Sequence, residues 1–328
     1  MASASARGAC GLRSVSARHA AANAARGSQR LLRYTLPVNN GKHEPPDDLT
    51  VRVTSWLNKS GFPLEMRVAK AFKHRLPYHG WEVETNVVYT DSITGASRER
   101  DLIADTSIDT FAERGITVSI ELFVECKATT TPWVILKESF DTPADARPLF
   151  CAFGGSVPRL CCQQKSNQLV EFCKLLDRYL DGRLPATPSA GYGVAEAFRK
   201  SNDGDVTYVA TRQVLSSMNH MMADYYDGVE NLAIAFFVPI VVTTSPLFEA
   251  ALSPSSEYVE VKSVARTAVL VPNKETYAQV TIINETSLES LLDDSQPLHS
   301  EIDTFLDIYD RRVLDEQPAV APSASYYW

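Results

Sequence analysis

Three charged residues in two short stretches of this chain could carry out chemistry together. Asp101 lies in segment 98–104, and Glu125 and Lys127 lie two residues apart in segment 123–128. Mg²⁺ prefers hard oxygen ligands and binds through a few carboxylates together with water and phosphate. An acid on one strand followed by Glu-x-Lys on the next is the pattern of metal-dependent phosphodiesterases, so these residues indicate metal-assisted chemistry on a phosphate ester.

The residues around these three charges have the period of β-strands. Apolar residues occupy every second position before Glu125, namely Ile116, Val118, Ile120, Leu122 and Val124. This alternation predicts a strand with one buried face, and it sets Glu125 and Lys127 side by side on the opposite face. Asp101 stands at the head of another short apolar strand.

Other segments predict the elements that must position these strands. A helix starts at the proline-bearing segment 60–63 and ends near Leu76, a strand covers 81–89, and a turn at 91–97 leads to the Asp101 strand. Much later, a helix over 211–226 precedes an apolar strand over 232–244. Pro239 interrupts that strand, which predicts a bulge or a break there.

The remaining segments are assigned to an insertion and to C-terminal additions. The insertion, 129–205, contains an apolar patch at 133–136 and a helix near 164–180. After the apolar strand we expect a two-stranded hairpin over 258–270, a strand over 278–283 and an acidic helix over 299–317.

The order helix–strand–strand–strand–insertion–helix–strand resembles the core of the PD-(D/E)XK (restriction-endonuclease-like) nuclease superfamily. The resemblance implies an α/β fold with an αβββαβ core, in which helices flank a mixed central sheet, with an insertion and C-terminal additions. It covers residues 55–128 well and 206–245 loosely. The family's Pro-Asp dipeptide is replaced by Arg100-Asp101.

This resemblance assigns roles to individual residues. Asp101 and Glu125 would hold Mg²⁺, for which Mn²⁺ is the expected substitute, and the backbone carbonyl of Cys126 would be a further ligand. Lys127 would orient or activate the attacking water and stabilise the developing charge on phosphorus. Glu65, in the first helix, matches a glutamate that often completes the site. Gln213 resembles a glutamine that some branches place nearby.

Plainer interpretations of the same residues stay open. Asp101 could pair with Arg98 or Arg100 as an ordinary strand acid, and Glu125 with Lys127 could form a solvent-facing ion pair that contributes little stability. The expected activity is Mg²⁺-dependent hydrolysis of nucleic acid, by a DNA endonuclease of restriction or defence type. The alternatives are a catalytically silent nucleic-acid-binding or scaffold protein, and an RNA-directed nuclease of the same fold, because a metal site reads only phosphate.

Composition bounds the class of protein. The chain has 328 residues, 45% hydrophobic and 22% charged, with a net charge of −8, which favours a globular protein over a disordered one and argues against a broadly basic nucleic-acid-coating surface. No apolar run approaches the ~20 residues of a membrane span, so no membrane association is expected. The six cysteines form no zinc or disulfide pattern and favour a reducing, cytoplasmic location. A homodimer or a partner protein stays open.

The ends of the chain are expected to lie outside the core. Residues 1–43 contain seven Lys and Arg and no acid, which is typical of a disordered extension or of a transit peptide. We therefore divide the chain into a tail over 1–46, a nuclease-like core over 47–272 that contains the insertion, and a C-terminal part over 273–328 with a strand, the acidic helix and a tail.

Overall fold

The computed structural model describes residues 46–76, 80–91, 94–111, 116–140, 150–154, 189–199, 205–228, 232–253, 258–273, 276–295 and 300. The chain divides into two compact units, Met1–Thr50 and Val51–Trp328, and the first helix runs through the boundary. The fold described below is that of the second unit. None of the helices in the described part of the chain is both long and apolar enough to cross a membrane.

Helices and strands alternate along the chain in an α/β order. The helices are α1 (Pro46–Leu57), α2 (Phe62–Arg75), α3 (Val206–Gly228) and α4 (Leu288–Ser295), and a short 3₁₀ turn, Glu285–Ser287, precedes α4. The first six strands are β1 (Trp81–Thr90), β2 (Ser97–Phe111), β3 (Ile116–Lys127), β4 (Trp133–Leu136), β5 (Phe150–Gly154) and β6 (Ala190–Gly191). The others are β7 (Gly193–Glu196), β8 (Leu232–Thr243), β9 (Leu247–Leu252), β10 (Val259–Val264), β11 (Arg266–Asn273) and β12 (Thr276–Asn284).

The larger sheet is mixed and has the strand order β1-β2-β3-β8-β12-β11-β6, with β5 also paired to β8. The pairs β1–β2 and β2–β3 are antiparallel, whereas β3 and β8 are parallel and paired from Ile116↔Leu232 to Lys127↔Thr243. A parallel pair needs a crossover connection, and α3 supplies its last part. The expected α/β class, with a mixed sheet flanked by helices, is therefore confirmed.

A smaller sheet has the order β10-β9-β4-β7 and joins two distant parts of the chain. The apolar patch of the predicted insertion forms β4, which pairs in parallel with β9. A buried ion pair ties this sheet to the larger one. Lys137 Nζ lies 2.6 Å from Glu249 Oε1 and 2.9 Å from Ser189 Oγ, and Thr267 of β11 donates a 2.7 Å hydrogen bond to Glu249.

Both faces of β3 are buried, so the prediction of a single buried face is wrong. The apolar set that includes Leu122 and Val124 is buried, and so are the alternate residues Glu121, Phe123 and Glu125. The reason is that helices α2 and α3 both pack on strands β1–β3. Side chains of α3 enclose the Phe123 face in one hydrophobic cluster that includes Ala210, Val214, Leu215, Met218 and Phe237.

Several predicted elements are confirmed and others are wrong. The helix at 60–76 and the strands at 81–89, 232–244 and 278–283 are found as α2, β1, β8 and β12. Pro239 causes no bulge, because the β3–β8 register runs through it without a shift. Pro239 lies between two pairings of β8: the pairing with β5 reaches Phe237 of β8, and the pairing with β12 starts at Ile240 of β8.

The hairpin expected over 258–270 does not form as one unit. Its two strands, β10 and β11, pair with β9 and β12 and belong to different sheets. The helices α1 and α4 and the strand β9 were not predicted. The helix predicted at 164–180 lies outside the described residues, as does the one at 299–317 apart from residue 300.

Candidate functional site

The pairing of β2 with β3 brings Asp101 of β2 next to Glu125, near the end of β3. Leu102 pairs with Val124, so the antiparallel register sets the next two residues, Asp101 and Glu125, opposite each other. The backbone N–H of Cys126 donates a 2.6 Å hydrogen bond to Asp101 Oδ2. The two acids that the sequence singled out therefore occupy neighbouring positions on adjacent strands.

Lys127 completes a buried ion pair at the end of β3. Its Nζ lies 2.6 Å from Glu125 Oε1, and its side chain keeps 23% of its surface exposed whereas that of Glu125 keeps 6%. The carbonyl of Lys127 accepts a 2.9 Å hydrogen bond from Thr243 Oγ1 on β8. Lys127 is thus fixed through its backbone, while its ammonium reaches both the acids and solvent.

Glu65 approaches this pair from the first turn of α2. Burial raises the pKa of Glu65, and the negative charge of Asp101 raises it further, while Lys127 opposes that shift. The carboxylate lies close to Gly61, since a Cβ atom at that position would be 3.3 Å from Glu65 Oε1. Glu65 is therefore within electrostatic reach of Asp101 and Lys127.

Glu65, Asp101 and Glu125 repel one another when they are ionised, and this repulsion disfavours the charged form of each. Burial, followed by the charge of Asp101, raises the pKa of Glu125 to about 7. Burial also raises the pKa of Asp101, although the Cys126 N–H and Lys127 oppose the shift. A bound cation would relieve this repulsion, just as a proton does. The electrostatics of the site therefore favour a positive ligand.

The carboxylates of Asp101 and Glu125 and the carbonyl of Cys126 offer the oxygen ligands that a hard divalent cation prefers. The hydrogen bond from the Cys126 N–H goes to Oδ2 of Asp101, and the one from Lys127 goes to Oε1 of Glu125, so each of these bonds uses one oxygen of its carboxylate. The N–H of Cys126 points to Asp101, and a strand residue directs its carbonyl to the same side as its N–H. That carbonyl is therefore available beside the two acids.

The side chains are not gathered into a ready-made cage. Among the described residues, no three His, Cys, Asp or Glu side chains lie close enough to hold one metal ion together. Glu65 is near the pair without joining it as a third ligand. Mg²⁺ commonly keeps several waters and uses only one or two carboxylates, so the pair remains sufficient for it.

The Cys126 thiol is buried and free, and it takes no part in this donor set. Burial raises the pKa of the thiol well above its ordinary value, and the surrounding acids raise it further. A thiol in such surroundings stays protonated and unreactive. Only the backbone of Cys126 is suited to the site.

The contacts of Arg98, Arg100 and the Glu125–Lys127 pair bear on the plainer interpretations of these charges. Arg98 Nε lies 2.7 Å from Asp91 Oδ2, so Arg98 is engaged away from Asp101. Arg100 is buried and lies over the rings of Tyr89 and Phe123, 5.4 Å and 5.7 Å from their centroids. In the pair of Glu125 and Lys127 the carboxylate is buried under the face that α3 covers, whereas Lys127 keeps 23% of its side chain exposed.

Sequence reasoning missed Tyr89, which connects the site to α3. The Tyr89 hydroxyl donates a 3.4 Å hydrogen bond to the carbonyl of Gln213, and burial together with the charge of Glu125 raises its pKa. Among the described residues, Oε1 of Gln213 is buried without a hydrogen-bond partner. Gln213 thus lies on the helix that covers the site, and its side-chain oxygen accepts no hydrogen bond from the described residues.

A second group of acids was also missed. Asp105 of β2 pairs across the sheet with Glu82 on one side and with Glu121 on the other. Burial, followed by the charges of Glu82 and Glu84, raises the pKa of Asp105 to about 7. The signal was visible in the sequence, since these acids occupy strand positions, but their cross-strand pairing depends on the register.

The chain matches no protein-family model, no curated protein and no solved structure.

Proposed function

We propose that this chain is a divalent-metal-dependent phosphodiesterase that hydrolyses nucleic acid, with DNA as the first expected substrate. The observation that carries the proposal is the juxtaposition of Asp101 and Glu125 on adjacent strands, with Lys127 Nζ 2.6 Å from Glu125. Two carboxylates and one ammonium around one point are the groups that cleavage of a phosphodiester requires.

The strand order supports the further proposal of a PD-(D/E)XK-type core. Helix α2, the antiparallel strands β1, β2 and β3, helix α3 and strand β8 follow one another in the αβββαβ order, and β8 is parallel to β3. The segment between β3 and α3 corresponds to the proposed insertion. In this arrangement Asp101 and Glu125 lie close to the C-terminal end of β3, and Glu65 approaches them from the first turn of α2.

Each residue has a proposed task. Asp101, Glu125, the Cys126 carbonyl and, through water, Glu65 would hold Mg²⁺ or Mn²⁺. When bound, such an ion would neutralise negative charge on the phosphate and polarise its bond to oxygen. Lys127, released from its pair with Glu125, donates hydrogen bonds to the attacking water and to a non-bridging phosphate oxygen. It thereby stabilises the charge that develops as the phosphorus–oxygen bond breaks.

A silent nucleic-acid-binding protein is the second candidate, and one observation favours it. Lys127 and Glu125 already neutralise each other, and the described acids are not gathered as three ligands. A protein in which this ion pair is permanent would bind without cleaving. The RNA-directed nuclease remains the third candidate, since a metal site of this kind reads only phosphate.

The test is a cleavage assay with Mg²⁺ or Mn²⁺ against single-stranded DNA, duplex DNA and RNA. Asp101→Asn and Lys127→Ala should each lower the rate by about 10²–10³-fold, because each removes charge at the reacting phosphate. Asp105→Asn is the matched control, since it removes a partly buried acid of the same strand outside the site. Circular dichroism should show all three variants folded.

Two outcomes would overturn the proposal. Wild-type protein that binds nucleic acid but cleaves none of the three substrates would favour the silent alternative. Loss of activity in Asp105→Asn as large as in Asp101→Asn would mean that activity follows the integrity of the sheet and not the site.

A further inference from the structure

The edge strand β10 of the smaller sheet is exposed along most of its length. In the described part of the chain, β10 pairs with β9 on one side and with no strand on the other. Residues 259–263 are all exposed, and the apolar Val259 and Val261 keep 60% and 58% of their surface exposed. Folded proteins usually protect such an edge with a proline, a bulge or several charges, whereas β10 contains no proline and its register with β9 is regular. The edge is therefore available to a further strand.

The backbone hydrogen bonds of β10 indicate which of its residues face this edge. The N–H of Ser253 donates a 3.0 Å hydrogen bond to the carbonyl of Tyr258, so the backbone polar groups of Tyr258 point to the β9 side. These groups alternate in direction along an antiparallel strand. Those of Glu260 and Lys262 therefore also point to β9, and those of the odd-numbered residues in 259–263 point away from it. Three exposed residues thus direct their N–H and C=O groups to the open edge.

The charges of β10 favour one partner strand, which is β10 of a second copy of this chain. Val261 lies between Glu260 and Lys262. When two copies of β10 pair antiparallel about a twofold axis at Val261, Glu260 of each copy lies opposite Lys262 of the other, which is a favourable cross-strand pair. Sliding the second copy along the strand by two residues, the shift that keeps the same faces together, sets Glu260 against Glu260 or Lys262 against Lys262. The strand is therefore complementary to itself in one register.

Glu260 and Lys262 are both accessible for these pairs. Both residues are exposed, and they project from the same face of β10 because they are two positions apart. Among the described residues, Glu260 forms no ion pair. Lys262 Nζ lies 3.7 Å from the ring centroid of Phe140, and contact with one ring face leaves the other side of the ammonium open to a carboxylate. Each copy therefore offers one carboxylate and one ammonium across the twofold axis.

We propose that this chain forms a homodimer in which the β10 strands of two copies pair antiparallel about Val261 and join the two smaller sheets into one. Val261 exchanges backbone hydrogen bonds with Val261 of the second copy, and an ion pair between Glu260 and Lys262 lies on each side of them. The interface uses the same strand of both copies, so association closes at two. The dimer is independent of the proposed activity, because Asp101 and Glu125 belong to the larger sheet.

Sedimentation velocity of the full chain over a series of protein concentrations measures this association. The variants are Glu260→Lys, Lys262→Glu and Val261→Pro, and circular dichroism checks that each is folded. The fold should tolerate Val261→Pro, because proline is accepted on an edge strand where its nitrogen faces away from the neighbouring strand. Glu196→Lys is the matched control, since Glu196 lies on β7 at the other edge of the same sheet and its replacement changes the net charge as Glu260→Lys does.

Wild-type protein should pass from monomer to dimer as its concentration rises. Glu260→Lys and Lys262→Glu should each weaken dimerisation about tenfold, because each turns two favourable cross-strand pairs into two repulsive ones. An equimolar mixture of these two variants should recover the wild-type affinity as a heterodimer, since every cross-strand pair then joins opposite charges again. Val261→Pro should abolish the dimer, because it removes an N–H donor at the twofold axis, and Glu196→Lys should behave like wild type.

Three results would overturn the proposed dimer. Wild-type protein that stays monomeric at its highest soluble concentration would mean that the β10 edge has no second copy as its partner. A dimer that persists equally in Glu260→Lys and Val261→Pro would place the interface elsewhere on the chain. Weakened association in both charge variants without recovery in their mixture would rule out the register centred on Val261.

Discussion

Replacing Glu125 by Gln should remove a pH-dependent loss of stability that the buried carboxylate imposes on the fold. Burial and Asp101 raise the pKa of Glu125 from its ordinary value of 4.5 to about 7. The folded protein therefore keeps its proton at this residue at pH values where the unfolded chain has released it. The stabilisation from this proton is complete below pH 4.5 and is lost as the pH rises to about 7.

The size of the effect follows from the two pKa values. Each pH unit between them lowers the free energy of unfolding by about 1.4 kcal/mol, so the whole window corresponds to about 3 kcal/mol. The side chain of Glu125→Gln cannot ionise. The free energy of unfolding of this variant should therefore fall less with pH between 4.5 and 7 than that of the wild type. Lys127 tolerates the change, because 23% of its side chain is exposed and its ammonium can be hydrated.

Urea unfolding across this pH window, with and without Mn²⁺, measures the effect and locates the metal. Above pH 7, Mn²⁺ should stabilise wild-type protein by about 2.7 kcal/mol at a hundredfold excess over Kd, and it should not stabilise Glu125→Gln. Asp105→Asn is the control, because the pKa of Asp105 is also raised to about 7. Asp105→Asn should lack the pH dependence of the free energy of unfolding that Asp105 contributes, and Mn²⁺ should stabilise it as much as it stabilises the wild type. An equal response to Mn²⁺ in wild type and Glu125→Gln would refute a metal site at this residue.

Three further predictions test the fold. Lys137→Met leaves the buried carboxylate of Glu249 without its 2.6 Å partner and should cost about 3–5 kcal/mol in chemical denaturation, and adding Glu249→Gln should recover part of that loss. An unchanged denaturation midpoint would mean that the pair is hydrated. Gly191→Ala should cost about 1–3 kcal/mol, because its Cβ would lie 2.6 Å from a backbone carbonyl oxygen, whereas Gly193→Ala meets no atom closer than 3.7 Å and should melt like wild type. Asn86 has φ of 56°, so Asn86→Val should lower the melting temperature and Asn86→Gly should not; equal melting of the two would contradict a left-handed backbone there.

The strand containing Glu125 was predictable because its apolar residues alternate, and α2 was predictable from Pro63 and its apolar stripe. The neighbourhood of Asp101 and Glu125 also followed from sequence, since the two acids lie on consecutive strands. The burial of Glu125 did not follow. It depends on α3, which is separated from β3 by the whole predicted insertion, and local periodicity carries no information about such a distant cover.

The smaller sheet could not be predicted from the sequence either, because its pairing also depends on distant segments of the chain. Strands β4 and β9 are short, and they pair with each other only after the chain has passed through α3 and β8. The segments 259–264 and 266–273 look like the two arms of a hairpin, because one residue separates them. Their separation into two sheets is decided by partners elsewhere, β9 and β12, and not by the turn.

The parallel pairing of β3 with β8 makes the assembly of this protein a slow, non-local event. The two strands are joined through residues 128–231, and closing a flexible loop of that length costs about 4 kcal/mol of chain entropy before any pair between them forms. Proteins with such distant contacts fold on the millisecond-to-second scale. Because Thr243 of β8 binds the carbonyl of Lys127, the lysine takes its final position only when this loop has closed. A nascent chain that has emerged only as far as β3 therefore carries Asp101, Glu125 and Lys127 without yet having a site.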